Sequence, residues 1–101
     1  MTREQVIAAL RAHEPEFKSA GVVSMSLFGS TARNEPDAAD VDIAVRLADN
    51  FSEGGFDYFY QLEELQKRLS RILGAAVDVV PEPVRKERFQ NAIDRDRALA
   101  F

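Results

Sequence analysis

SLFGSTARNEPDAADVDIAV, residues 26–45, leaves an apolar run through Gly29-Ser30, crosses a polar loop and enters a second apolar run whose head carries Asp40 and Asp42. In a strand, side chains i and i+2 share a face, so the two aspartates point one way while Val41 and Ile43 point the other. Two carboxylates side by side repel, and the pattern asks for something positive between them.

Working outward, Gly21 opens VVSMSLF, whose β-branched and large apolar residues predict a strand ended by Gly29. Ser30 is placed to cap a short helix from Thr31, Asn34 to Ala39 reads as turn, and the second strand is expected from Asp40 to Leu47. Asp49 to Gly55 reads as loop, with Gly54-Gly55 its strongest break. Phe59, Leu62, Leu65, Leu69, Ile72 and Leu73 then follow helical spacing up to Gly74. A third strand, AAVDVV, ends at Pro81, and Val84, Phe89, Ala92, Ile93 and Leu99 predict a last helix over the region from Pro83 to Ala100. At the N-terminus, Thr2 with Glu4 and Gln5 marks the start of one amphipathic helix, carrying Val6, Ala9, Leu10 and His13, which Pro15 is expected to close.

This order predicts an α/β fold, a small mixed β-sheet packed with helices, as one domain over residues 1–101. Strands two and three are joined by a helix of the length a parallel crossover needs. The first connection is short enough to turn the chain back antiparallel.

Bulk composition narrows the function. A net charge of −4 supplies no global positive field for a polynucleotide, so stable nucleic-acid binding is not expected. The chain has no cysteine, which removes disulfides and thiolate metal sites together. No apolar run approaches membrane-spanning length and the start is not a signal peptide, so a cytoplasmic protein is expected.

Asp78 interrupts the third strand where an apolar side chain would be the default. A carboxylate there costs several kcal/mol if desolvated alone, unless it is paired or bound to a cation. If strand three lies beside strand two, Asp78 sits next to Asp42, and three carboxylates converge. An all-oxygen set suits a hard cation, above all magnesium, and two such ions about 3.5–4 Å apart form the clamp used in displacement at phosphorus. Gly29 would let backbone approach a phosphate closely, while Ser30 would offer a hydroxyl and free N–H groups.

Gly29-Ser30, nine intervening residues, then Asp40-Val41-Asp42-Ile43 and a later Asp78 resemble the signature of the DNA polymerase β-like nucleotidyltransferase superfamily. In length and element order the chain is similar to its minimal nucleotidyltransferase (MNT) branch. Members of that branch are commonly antitoxins of HEPN-domain proteins, and some transfer AMP from ATP to a tyrosine of that partner. The resemblance implies that Gly29 and Ser30 hold the nucleotide triphosphate. It implies that Asp40 and Asp42 ligate magnesium, that Asp78 completes the set and helps activate the acceptor hydroxyl, and that Arg33 meets a phosphate oxygen. The implied cofactor is a pair of magnesium ions, the substrate ATP, and the partner a HEPN-domain toxin held in a hetero-oligomer. Two positions depart from the pattern. Ala39 stands where a serine often precedes the first aspartate, and Asn34 where a glycine is common.

Each feature alone has a plainer reading: a helix cap at Ser30, a solvated edge at Asp40 and Asp42, an arginine-paired carboxylate at Asp78, a surface ion pair at Arg33. His13 reads as a helix-end residue and Asp94 to Arg97 as a solvated helix face. Phe51, Phe56, Tyr58, Phe59 and Tyr60 read mainly as core, with any exposed part available to a partner. Two rivals to the adenylyltransferase stand beside it: an antitoxin that neutralises its HEPN partner by binding alone, and a nucleotidyltransferase for a small molecule such as an aminoglycoside.

Overall fold

A computed structural model describes residues 1–38, 40–52 and 58–101. In chain order the elements are α1 (Arg3–Ala12), α2 (Glu14–Ser19), β1 (Val22–Phe28), α3 (Gly29–Ala32), β2 (Val41–Leu47), a 3-10 turn (Asp49–Ser52), α4 (Tyr58–Leu73), β3 (Val77–Pro81), α5 (Glu87–Asp96) and β4 (Ala98–Leu99). The strands form one mixed sheet in the order β3-β2-β1-β4. β1 runs antiparallel to β2, and β2 runs parallel to β3 with α4 as the crossover. Both connections follow the sequence expectation.

Three local readings are corrected. Pro15 does not close a single N-terminal helix but sits in the first turn of α2, where its missing N–H has no partner to lose. His13 is the junction, ending α1 and leading into α2. Ser30 does not cap α3, because the helix starts at Gly29 with Phe28 extended before it. The C-terminal region is not all helix: after α5 the chain adds β4 on the outer side of β1, pairing Ser26 with Leu99 and Leu27 with Ala98. Two residues are too few to show alternation in the sequence. The Gly54-Gly55 break and Phe56 lie outside the described residues.

Thr2 and Gln5 close the N-terminus of α1 reciprocally: Gln5 N–H donates to Thr2 Oγ1 at 3.2 Å and Thr2 N–H to Gln5 Oε1 at 2.9 Å. In α4, Leu65, Leu69 and Leu73 recur every four residues and all are buried. Gly74 ends the helix at φ +65°, a left-handed residue past the last turn.

The sheet separates two apolar clusters. Val6, Leu10, Phe17, Met25, Leu27, Ile43, Val45 and Leu69 belong to the larger one, under α1, α2 and α4. The smaller, on the other face, is Phe28, Ala44 and Ile93, with Val80 and Val84 against it, and α5 covers it. That second face carries Asp42 beside Asp78, because period-two alternation opposite Ile43 and Val77 leaves it no choice.

Candidate functional site

Strand register builds the site. Asp42 is the parallel neighbour of Asp78 and the antiparallel neighbour of Phe28, so three strands contribute one row. Gly29 follows Phe28 at φ +71°, and a Cβ placed there would overlap Asp42 Oδ2. Only glycine satisfies both the left-handed backbone and that contact. The Gly-Ser step is thus wrapped onto the second aspartate.

Asp40 is exposed and directly precedes β2, and Thr31 holds it in place from behind. Thr31 is buried, and its hydroxyl donates to the Asp40 carbonyl at 3.1 Å. Glu35 N–H donates to the Ser30 carbonyl at 3.0 Å, folding the polar loop back over the helix. Ser30, Glu35, Pro36, Asp37, Ala38, Asp40 and Asp42 line a cleft of about 520 Å³. Thr31, Glu35 and Asp37 were not picked out from sequence. Their only signal was a position between the two motif halves.

The electrostatics are those of carboxylates gathered at one place. Burial, more than any other cause, pushes the Asp42 carboxyl above its ordinary range, and the charges of Asp78 and Asp40 push it further; Arg33 opposes them. Among the described residues, however, no three His, Cys, Asp or Glu are gathered into a ready-made metal set. Asp40, Asp42 and Asp78 are close enough to feel one another but do not form a closed cage. Hard oxygens on an open cleft fit magnesium, which keeps waters and shares its shell with substrate phosphates.

Arg33 leaves the end of α3 and is engaged by two carboxylates: its Nε donates to Glu35 Oε1 at 3.1 Å and its Nη1 to Asp96 Oδ2 at 2.5 Å. Asn34 has φ +59°, so this position needs a left-handed backbone that asparagine accepts more readily than most residues. The other departure, Ala39, lies outside the described residues. His13 is at the α1–α2 junction, its Nδ1 3.4 Å from Glu16 Oε1. Phe51 is buried and Tyr58 packs on it with ring centroids 6.0 Å apart, whereas Phe59 and Tyr60 are exposed.

The run from Asp94 to Arg97 is a solvated face only in part: Asp94 and Arg95 are exposed, whereas Asp96 and Arg97 turn inward. Arg97 donates from Nη1 and Nη2 to the two Glu82 carboxylate oxygens at 2.9 and 2.5 Å, from Nη1 to Ser26 Oγ at 3.1 Å, and from Nη2 to Asp94 Oδ1 at 2.7 Å. The Glu82 side chain is 1% exposed.

Residues 10–98 match the model of the nucleotidyltransferase domain family. A Methanocaldococcus jannaschii protein, provisionally named protein adenylyltransferase MJ1379, is 36% identical over 81 residues, covering 78% of this chain and 77% of its own. A solved structure provisionally described as a minimal nucleotidyltransferase superposes with a TM-score of 0.72 at 27% identity, over 97% of this chain and 95% of that one. A complex described as tri-AMPylated Shewanella oneidensis HEPN toxin with MNT antitoxin matches at TM-score 0.59 and 23% identity, covering 98% of this chain and 68% of its own; that likeness is one of fold.

Proposed function

This chain belongs to the nucleotidyltransferase domain family, and on that premise we propose that it is a single-domain, magnesium-dependent protein adenylyltransferase and antitoxin, moving AMP from ATP to a tyrosine hydroxyl of a HEPN-domain toxin. The observation that carries the reading is the Asp42–Asp78 pair on neighbouring strands with Gly29 seated against Asp42.

In this reading Gly29 and Ser30 face the triphosphate and Arg33 meets one of its oxygens. Asp40, Asp42 and Asp78 would hold magnesium, which neutralises phosphate charge and stabilises the leaving oxygen. Asp78, exposed on β3 beside Asp42, takes the proton of the acceptor hydroxyl as that oxygen bonds to the α-phosphorus. The bond between the α-phosphorus and the bridging oxygen breaks, and pyrophosphate leaves. The acceptor in this reading lies on a partner bound in a hetero-oligomer. No described helix is long and apolar enough to cross a membrane. We place the reaction in the cytoplasm, where ATP and magnesium are abundant.

Intact-protein mass spectrometry of the HEPN-domain partner, after incubation with this protein, ATP and magnesium, tests the reading. The expected result is a gain of one or more AMP units that Asp42→Asn abolishes. No gain from a stable complex would instead leave an antitoxin that acts by binding alone.

A further inference from the structure

Arg33 and Asp96 are 63 residues apart in sequence yet joined directly. The two carboxylates holding Arg33 are not equivalent. Glu35 is two residues away on the same exposed loop, so its contact with the guanidinium is local and ties it to no other element. Asp96 is only 12% exposed, ends α5, and belongs to a different layer of the fold.

The backbone at Asp96 is anchored from both sides. Just before it, Ile93 is fully buried with Phe28 and Ala44. Just after it, Arg97 grips buried Glu82 and Ser26 of β1. Asp96 is therefore a fixed point, and the cation it holds, Arg33, ends the short helix that begins at Gly29 and Ser30. An exposed arginine side chain retains rotamer entropy, part of which a ligand must otherwise remove on binding. A guanidinium has five N–H donors, so two carboxylate contacts leave others for an oxyanion.

Resting on the nucleotide-site reading above, we propose that Asp96 is a positioning residue: it holds Arg33 in the orientation that meets a magnesium-bound nucleoside triphosphate. The role is exerted through Arg33, not through contact with the nucleotide.

Equilibrium dialysis of Mg-ATP against the full chain tests this, comparing wild type, Asp96→Asn, Asp96→Glu, Arg33→Ala and the Arg33→Ala/Asp96→Asn double variant. A partly exposed ion pair predicts that Asp96→Asn weakens binding about three- to tenfold, with the thermal midpoint nearly unchanged. Asp96→Glu should recover part of the loss, and the double variant should bind no worse than Arg33→Ala alone. Unchanged binding in Asp96→Asn would overturn the proposal, as would tighter binding, which would make Asp96 a competitor of phosphate. Losses that add in the double variant would also overturn it. If wild type does not bind Mg-ATP, the nucleotide-site reading fails and takes this inference with it; if wild type and Asp96→Asn bind equally, only this inference is lost.

Discussion

Two acidic places lie along the second face of the sheet, and the chain treats them in opposite ways. At one, Glu82 is buried against Arg97 in a bidentate pair, with Gln90 Nε2 donating to it at 2.6 Å; Arg97 above all, and then Gln90, hold its carboxyl below the ordinary range. At the other, Asp42 is half-buried beside Asp78 and Asp40, and burial followed by those like charges raises its carboxyl. From Asp78 to Glu82 is four strand residues, about 13 Å. The protein supplies a directly bonded cation where the carboxylate holds the fold together, and only a weaker opposing field from Arg33 where the carboxylate faces a cleft. A raised carboxyl in a cleft is the kind of perturbed group that marks a candidate functional site.

The sharpest way to break this contrast is to neutralise Asp42. Asp42→Asn should cost at least about 100-fold in AMP transfer to the partner, since even outer-shell partners of metal ligands are worth 10–100-fold. Its thermal midpoint should be equal to or above that of wild type, because a destabilising charge has been removed. Next, Arg97→Ala should do the reverse. Leaving Glu82 buried and unpaired should destabilise by about 3 kcal/mol, read from urea unfolding. Gly29→Ala should fall between the two kinds of effect, losing about 1–3 kcal/mol from the left-handed backbone and the push on Asp42, together with transfer activity.

The smallest effect is in pH dependence, and its sign differs at the two places. Glu82 has a depressed folded value, so its contribution is present above the ordinary glutamate range and is lost as pH falls through that folded value. Asp42 has a raised folded value, so the folded state binds the extra proton, and stability falls as pH rises from the ordinary aspartate range through the folded value. Unfolding free energy followed from acidic to neutral pH should lose the first dependence in Glu82→Gln and the second in Asp42→Asn.

Legibility followed the range of the interactions involved. Asp40 and Asp42 could be read because alternation relates residues two apart, and α4 because its leucines recur every four. Asp78 stood out as a charge inside an apolar strand, and the helix length before it fitted a parallel crossover, while the register that sets it beside Asp42 was decided by the sheet. Asp96 and Arg97, read with Asp94 and Arg95 as one solvated face, were misread for a related reason. Charge on a helix looks the same in sequence whether it meets water or a buried glutamate on another element.

What the sequence determined by itself was the α/β order, the Gly29-Ser30 step and the two strands bearing Asp42 and Asp78, because neighbour-to-neighbour geometry dictates all of them. Tertiary structure alone decided that Gly29 closes on Asp42, that β4 completes the sheet edge, that Arg97 reaches Ser26 across 71 residues, and that Asp96 holds Arg33. Those contacts join residues distant along the chain, and nothing local distinguishes a partner until packing of the two sheet faces has brought it within hydrogen-bond reach.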